Sequence, residues 1–127
     1  MALAWVLDDT EAAHRYSADV AQLGLTGADT LAAPRLITTE CVLLRRGRAR
    51  KWGAVLTAEY GEVIDAIPMR LYRTLAPISS QVRFALQHGG QGYDAVYVAL
   101  AVALGAKIAT LDGGMKTAAR AAGVAIF

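Results

Sequence analysis

Short apolar runs alternate with segments of helical periodicity along the chain. Residues 11 to 23 place their apolar side chains on one face, and Gly24 follows, which predicts a helix with a glycine C-cap. A short apolar run, Leu31 to Ala33, then meets Pro34. Residues 36 to 46 read as a second helix. A third apolar stripe, from Trp52 to Ile64, predicts a helix that ends before Pro68.

The second half of the chain repeats this alternation. Met69 to Tyr72 is a candidate strand, and Ser79 or Ser80 is expected to cap a helix that stops at Gly89-Gly90. Tyr93 to Leu104 is almost uniformly apolar, which predicts a central helix packed on more than one side. Ala106 to Thr110 and Val124 to Phe127 are predicted strands on either side of a helix.

A strand, a helix and a strand at this spacing imply a parallel strand pair. The alternating pattern therefore predicts the α/β class with a parallel sheet.

The composition supports one folded domain that covers residues 1–127. The chain has 127 residues, of which 55% are hydrophobic and 19% charged, so intrinsic disorder is excluded. The longest stretch without a charge, Ala95 to Ala106, is too short to cross a bilayer. A single cysteine forms no intrachain disulfide, and the first residues lack the basic region of a secretory signal. We expect a cytoplasmic protein that does not bind membranes.

The small net charge of +2 hides an uneven distribution. Residues 1–34 are acidic on balance, whereas residues 35–51 contain one acid and six basic residues. Five of these basic residues lie close together, and they are Arg45, Arg46, Arg48, Arg50 and Lys51. Such a run can neutralise phosphates of RNA, although a solvated helix end is the more common explanation.

Three carboxylates are the candidate chemical groups. Asp94 opens the most apolar helix, and Asp112 follows a predicted buried strand, where open parallel sheets place their ligand sites. Each has a structural alternative, as a first-turn acid for Asp94 and as an N-cap for Asp112. Glu40 is the only acid of its segment, and its alternative is a solvated position or an ion pair with Arg45 or Arg46.

A cation is the natural companion of these acids if they converge. Like charges close together need a bound cation or a raised pKa. Oxygen ligands with few nitrogens or sulfurs select Mg²⁺ or Mn²⁺.

Several segments together resemble PIN domains of the VapC toxin type. The resemblance is carried by His88 to Ala101, Ala106 to Asp112 and Ala121 to Ile126, with weaker support from Pro34 to Glu40 and Ala2 to Asp9. It implies a three-layer α/β/α fold and an acidic Mg²⁺ or Mn²⁺ site that hydrolyses RNA. It also implies a cognate antitoxin protein and a homodimer.

The resemblance assigns roles to individual residues. Glu40, Asp94 and Asp112 fall on three of the four acidic positions, and Thr110 falls on a hydroxyl position near the last of them. In the favoured register, the first strand and its acid would lie upstream of Met1, and the fold would lack its first strand. In a second register, Ala2 to Leu7 form that strand and Asp8 supplies the fourth acid.

Two functions follow from these observations. The first is a metal-dependent endoribonuclease, the toxin of a toxin–antitoxin pair. The second is a binding module of the same fold that holds RNA or an antitoxin without cutting.

Overall fold

The structure is a computed structural model that describes residues 11–42, 54–74, 76–90 and 93–127. The chain divides into two compact units, Met1–Tyr72 (unit 1) and Arg73–Phe127 (unit 2). The described residues form a mixed α/β protein that is mostly helical, with a two-stranded parallel sheet. The class predicted from the alternating pattern is therefore confirmed. A single domain over residues 1–127 stays a prediction.

Unit 1 alternates helices and strands in the predicted order. Its elements are α1 (Glu11–Thr26), β1 (Leu31–Pro34), a helix α2 to which residues 36–42 belong, α3 (Ala54–Asp65) and β2 (Met69–Tyr72). As expected, α3 ends before Pro68. The predicted helix residues 43–46 and Trp52 lie outside the described residues.

The strands β1 and β2 pair in parallel, with Leu31 opposite Met69 and Pro34 opposite Tyr72. Pro34 is the last residue of β1. The ladder ends with the next residue, as the Arg35 N–H donates to the Tyr72 carbonyl at 2.8 Å. Parallel strands need a long crossover connection, and α2 and α3 lie between these two in the sequence.

Gly24 lies inside α1, so the prediction that it caps this helix is wrong. The helix continues to Thr26, and the chain reverses at Gly27, which has a φ of 70°. Gly24 is needed for close packing. A Cβ there would lie 2.8 Å from Leu31 Cδ1 and 3.1 Å from the Pro68 carbonyl oxygen. The absent side chain thus lets α1 approach β1 and the turn before β2.

Unit 2 consists of three helices, which pack against one another, together with a short parallel bridge. The helices are α4 (Ile78–His88), α5 (Asp94–Leu104) and α6 (Gly113–Ala121). Pro77 is the N-cap of α4 and no side chain caps it, so the cap predicted at Ser79 or Ser80 is wrong. Gly89, with a φ of 76°, ends α4 as predicted.

The helix α5 buries one face, formed by Ala95, Tyr97, Val98 and Ala101. At its C-terminal turn, Val102 and Leu104 are 48% and 40% exposed. The prediction of packing on more than one side is therefore wrong at this turn. The uniform apolarity of the segment concealed which face is buried.

The last two predicted strands are reduced to one parallel bridge between Ile108 and Ile126. The Ile108 N–H donates to the Ala125 carbonyl at 2.9 Å, and the Phe127 N–H donates to the Ile108 carbonyl at 3.0 Å. The parallel pairing is confirmed, although it extends over far fewer residues than predicted. In the described part of the chain, no helix has the length and apolarity needed to cross a membrane.

We expect Gly24→Ala to destabilise the protein by up to about 2 kcal/mol. The added methyl group overpacks against Leu31 and the Pro68 carbonyl, and this cost exceeds the gain of about 1 kcal/mol in helix propensity. Urea denaturation followed by circular dichroism measures the change.

Gly113→Ala is the matched control, because a Cβ at this helical glycine would have no atom within 4 Å. It should be neutral or stabilising. Equal stability of the two variants would show that Gly24 has no packing role.

Candidate metal centre

Asp112 is hydrogen-bonded to one residue before it and one residue after it in the sequence. It is the N-cap of α6, and its Oδ1 accepts a hydrogen bond from the Met115 N–H at 2.7 Å. Its own N–H donates to Thr110 Oγ1 at 3.1 Å. Thr110 is only 3% exposed, so this bond attaches the loop to the core of unit 2. The N-cap alternative for Asp112 is thus realised, and Thr110 contacts its backbone. The site-supporting role of Thr110 stays a prediction.

Asp94 is the first residue of α5 and is partly buried. The N-terminus of a helix carries a partial positive charge, which favours a carboxylate at this position. Gly90 approaches its base closely, since a Cβ at Gly90 would lie 3.1 Å from Asp94 Cβ and 3.5 Å from Ala118 Cβ. With a φ of 98°, Gly90 also adopts a conformation that other residues rarely adopt. The absent side chain of Gly90 therefore allows its backbone to lie close to Asp94 and to Ala118 of α6.

The carboxylates of Asp94 and Asp112 meet beside Gly114. A Cβ at Gly114 would lie 3.2 Å from Asp94 Oδ2 and 3.2 Å from Asp112 Oδ1. The two oxygens are thus separated by no more than twice that distance, although the residues are far apart in the sequence. Unit 2 brings together two of the three acids predicted to form the site.

Glu40 lies in α2, within unit 1, and is 3% exposed. The alternative of a solvated helix position is therefore excluded. A buried carboxylate is costly unless polar partners or a cation compensate it, which sets Glu40 apart from an ordinary helix-surface acid. Its convergence with the acids of unit 2 stays a prediction.

Within neither unit do the described residues form a group of three or more His, Cys, Asp or Glu side chains able to hold a metal ion. The donor set of unit 2 is a pair of carboxylates. Mg²⁺ is commonly held by one or two protein carboxylates, with water and substrate phosphates as its other ligands. The pair therefore fits a hard divalent cation that shares its coordination with a substrate.

Two groups of predicted residues lie outside the described residues. They are the candidate fourth ligand, Asp8, and the candidate RNA-binding residues Arg45, Arg46, Arg48, Arg50 and Lys51. Their assigned roles stay predictions.

Sequence reasoning missed the two glycines beside the carboxylates. It treated Gly90 only as part of a turn that ends a helix, and it assigned nothing to Gly114. A signal existed for Gly114, because two consecutive glycines open α6 although glycine disfavours helices. For Gly90, only the tertiary contact with Asp94 reveals the role.

Burial and nearby acidic side chains raise the pKa of the Cys41 thiol. Burial raises the pKa of Cys41 above its ordinary value of 9.0, and the charges of Glu40 and Asp65 raise it further. The thiol is therefore protonated at neutral pH.

In comparisons with known proteins, no family model and no curated sequence matches this chain. The resemblance to PIN domains therefore rests on the residues quoted for it.

Two substitutions separate the capping role of Asp112 from its charge. Asn is as good an N-cap as Asp, so Asp112→Asn should retain stability and remove one of two neighbouring charges. Asp112→Ala should cost about 1 kcal/mol, because the Met115 N–H loses its acceptor. Thermal denaturation in EDTA measures both. Equal destabilisation by Asn and Ala would contradict the capping role.

We expect the alkylation rate of Cys41 by iodoacetamide to reach half its maximum above pH 9.0. The thiolate is the reactive form, so a raised pKa lowers its fraction at every pH below that midpoint. Glu40→Gln removes a negative neighbour and should shift the profile to lower pH. Asp29→Asn, in an exposed turn, is the control and should leave it unchanged. An unshifted profile in Glu40→Gln would mean that no charge at Glu40 acts on the thiol.

Proposed function

We propose that this protein is a metal-dependent endoribonuclease that uses Mg²⁺ or Mn²⁺ in an acidic site. The supporting observation is the meeting of Asp94 Oδ2 and Asp112 Oδ1 at Gly114, each 3.2 Å from the same point. Two carboxylates in so small a space repel each other, and a shared cation relieves that repulsion. The quoted resemblance to VapC-type PIN domains supplies the reaction class.

The metal ligands in this proposal are Asp94, Asp112 and Glu40, with Asp8 as a fourth candidate. When bound, the ion supplies Lewis acidity that activates water and neutralises charge developing on phosphate oxygens. Thr110 holds the Asp112 backbone, while the Met115 N–H fixes Asp112 Oδ1. These contacts orient the carboxylate before substrate arrives. No side chain of the protein acts as a nucleophile.

The proposal extends to the fold and to the biological setting. It includes a three-layer α/β/α PIN-like domain over residues 1–127, a cognate antitoxin protein that neutralises the enzyme, a homodimer and a cytoplasmic location. The basic residues Arg45, Arg46, Arg48, Arg50 and Lys51 would contact RNA phosphates. All of these follow from the charge pattern and the resemblance described in the sequence analysis.

A second candidate is a binding module of the same fold that does not cleave RNA. One observation favours it. Asp112 Oδ1 already accepts the capping hydrogen bond of α6, so this oxygen is less available to a cation. A site with only the Asp94 and Asp112 carboxylates would then hold a cation weakly. RNA binding without cleavage, with affinity that falls steeply as salt rises, would identify this function.

We expect the protein to cleave RNA in Mg²⁺ or Mn²⁺ and to lose this activity in EDTA. Asp94→Asn should lower the cleavage rate by about 100-fold or more, because even changes beyond the direct ligands of a metal cost about 10- to 100-fold. Gel analysis of total cellular RNA, incubated with the full chain, measures the rate.

The matched control is Asp19→Asn, which removes an exposed carboxylate from α1. It should cleave at the wild-type rate. Cleavage that persists both in EDTA and in Asp94→Asn would refute the metal mechanism.

A further inference from the structure

Gly114 occupies the position where the two acidic oxygens of unit 2 are nearest to a common point. Apart from its chain neighbours and the local helix backbone, only two described atoms lie within 4 Å of where its Cβ would be. They are Asp94 Oδ2 and Asp112 Oδ1, each at 3.2 Å. Such a separation is tighter than nine in ten contacts that real Cβ atoms make, so each oxygen would have to shift by a few tenths of an ångström. A methyl group at this position would therefore press on both oxygens at once.

The Asp112 carboxylate cannot move away without losing a hydrogen bond. Asp112 Oδ1 accepts from the Met115 N–H at 2.7 Å, and the Asp112 backbone is attached to the buried Thr110 hydroxyl. The base of Asp94 lies under Gly90, where even an added Cβ would be only 3.1 Å from Asp94 Cβ. Asp112 is thus held at its backbone and at Oδ1, and Asp94 Oδ2 and Asp112 Oδ1 both lie beside Gly114.

Local backbone preference does not account for glycine at this position. Gly114 lies in the first turn of α6 and has no positive φ, so its conformation is open to any residue. Glycine is among the least favourable residues in a helix, and alanine would suit α6 better. The remaining distinction of Gly114 is the space that it leaves beside the two oxygens.

We infer that Gly114 is a positioning residue of the cation site: its missing side chain keeps open the space through which Asp94 and Asp112 share one Mg²⁺ or Mn²⁺ ion. This inference rests on the proposed function and adds a determinant of cation binding to it. Mg²⁺ usually keeps several water ligands when bound to protein carboxylates, so its hydrated form needs this room. A methyl group at position 114 would occupy it and hold the carboxylates apart.

The test compares Gly114→Ala with Gly113→Ala in the full chain. Both substitutions replace a first-turn glycine of α6, but a Cβ at Gly113 would have nothing within 4 Å. Isothermal titration with MnCl₂ measures affinity, and thermal denaturation in EDTA measures metal-free stability. Asp94→Asn identifies the site, because its Mn²⁺ binding should be lost.

We expect Gly114→Ala to bind Mn²⁺ at least about tenfold more weakly than the wild type, the lower end of the loss seen when the surroundings of metal ligands change. Gly113→Ala should bind as the wild type does. Both variants should remain folded in EDTA, so the loss of affinity cannot be assigned to unfolding. Wild-type affinity in Gly114→Ala, or an equal loss in Gly113→Ala, would overturn the inference.

The two proposals fail in different ways. If the wild type cleaves RNA with Mn²⁺ and Gly114→Ala still binds Mn²⁺ normally, only the role of Gly114 is refuted. If the wild type neither binds Mn²⁺ nor cleaves RNA, the metal-dependent ribonuclease is refuted and the role of Gly114 falls with it.

Discussion

The repulsion between Asp94 and Asp112, whose carboxylate oxygens both lie beside Gly114, is the constraint that the contacts around them must meet. Asp94 and Asp112 each begin or precede a helix, where the partial positive charge of the helix end offsets some of that repulsion. The buried Thr110 hydroxyl and the capping bond to Met115 then hold Asp112 against it. The N-terminal ends of α5 and α6 and the Thr110 hydroxyl thus hold two like charges close together.

The periodicity of apolar residues predicted most elements of the fold, because helices and strands bury their faces at different spacings. It failed where tertiary contacts decide the outcome. Gly24 looked like a helix end, but its role is to let Leu31 and Pro68 approach α1. The segment from residue 94 to residue 104 is too uniformly apolar to reveal which face packs.

The candidate site was predicted in part for similar reasons. Asp94 and Asp112 stood out because acids are unusual beside apolar segments, and the structure brings their oxygens together. Gly90 carries no such signal, because a glycine in a turn has several common explanations, and the two glycines that open α6 are only a weak one for Gly114. The role of Glu40 with these two acids depends on how distant segments meet, which residue spacing does not encode. Burial in α2 nevertheless distinguishes it from the solvated acids of the chain.

The parallel bridge between Ile108 and Ile126 connects residues 125–127 to the segment that leads to Asp112. The N–H and the carbonyl of Ile108 are both hydrogen-bonded, to Ala125 and Phe127 respectively. Ile108 lies two residues before Thr110, which anchors Asp112. A ligand that drew residues 125–127 away would release this short segment without touching either carboxylate. Loss of residues 125–127 would therefore leave both backbone groups of Ile108 without their partners, two residues before the hydroxyl that anchors Asp112.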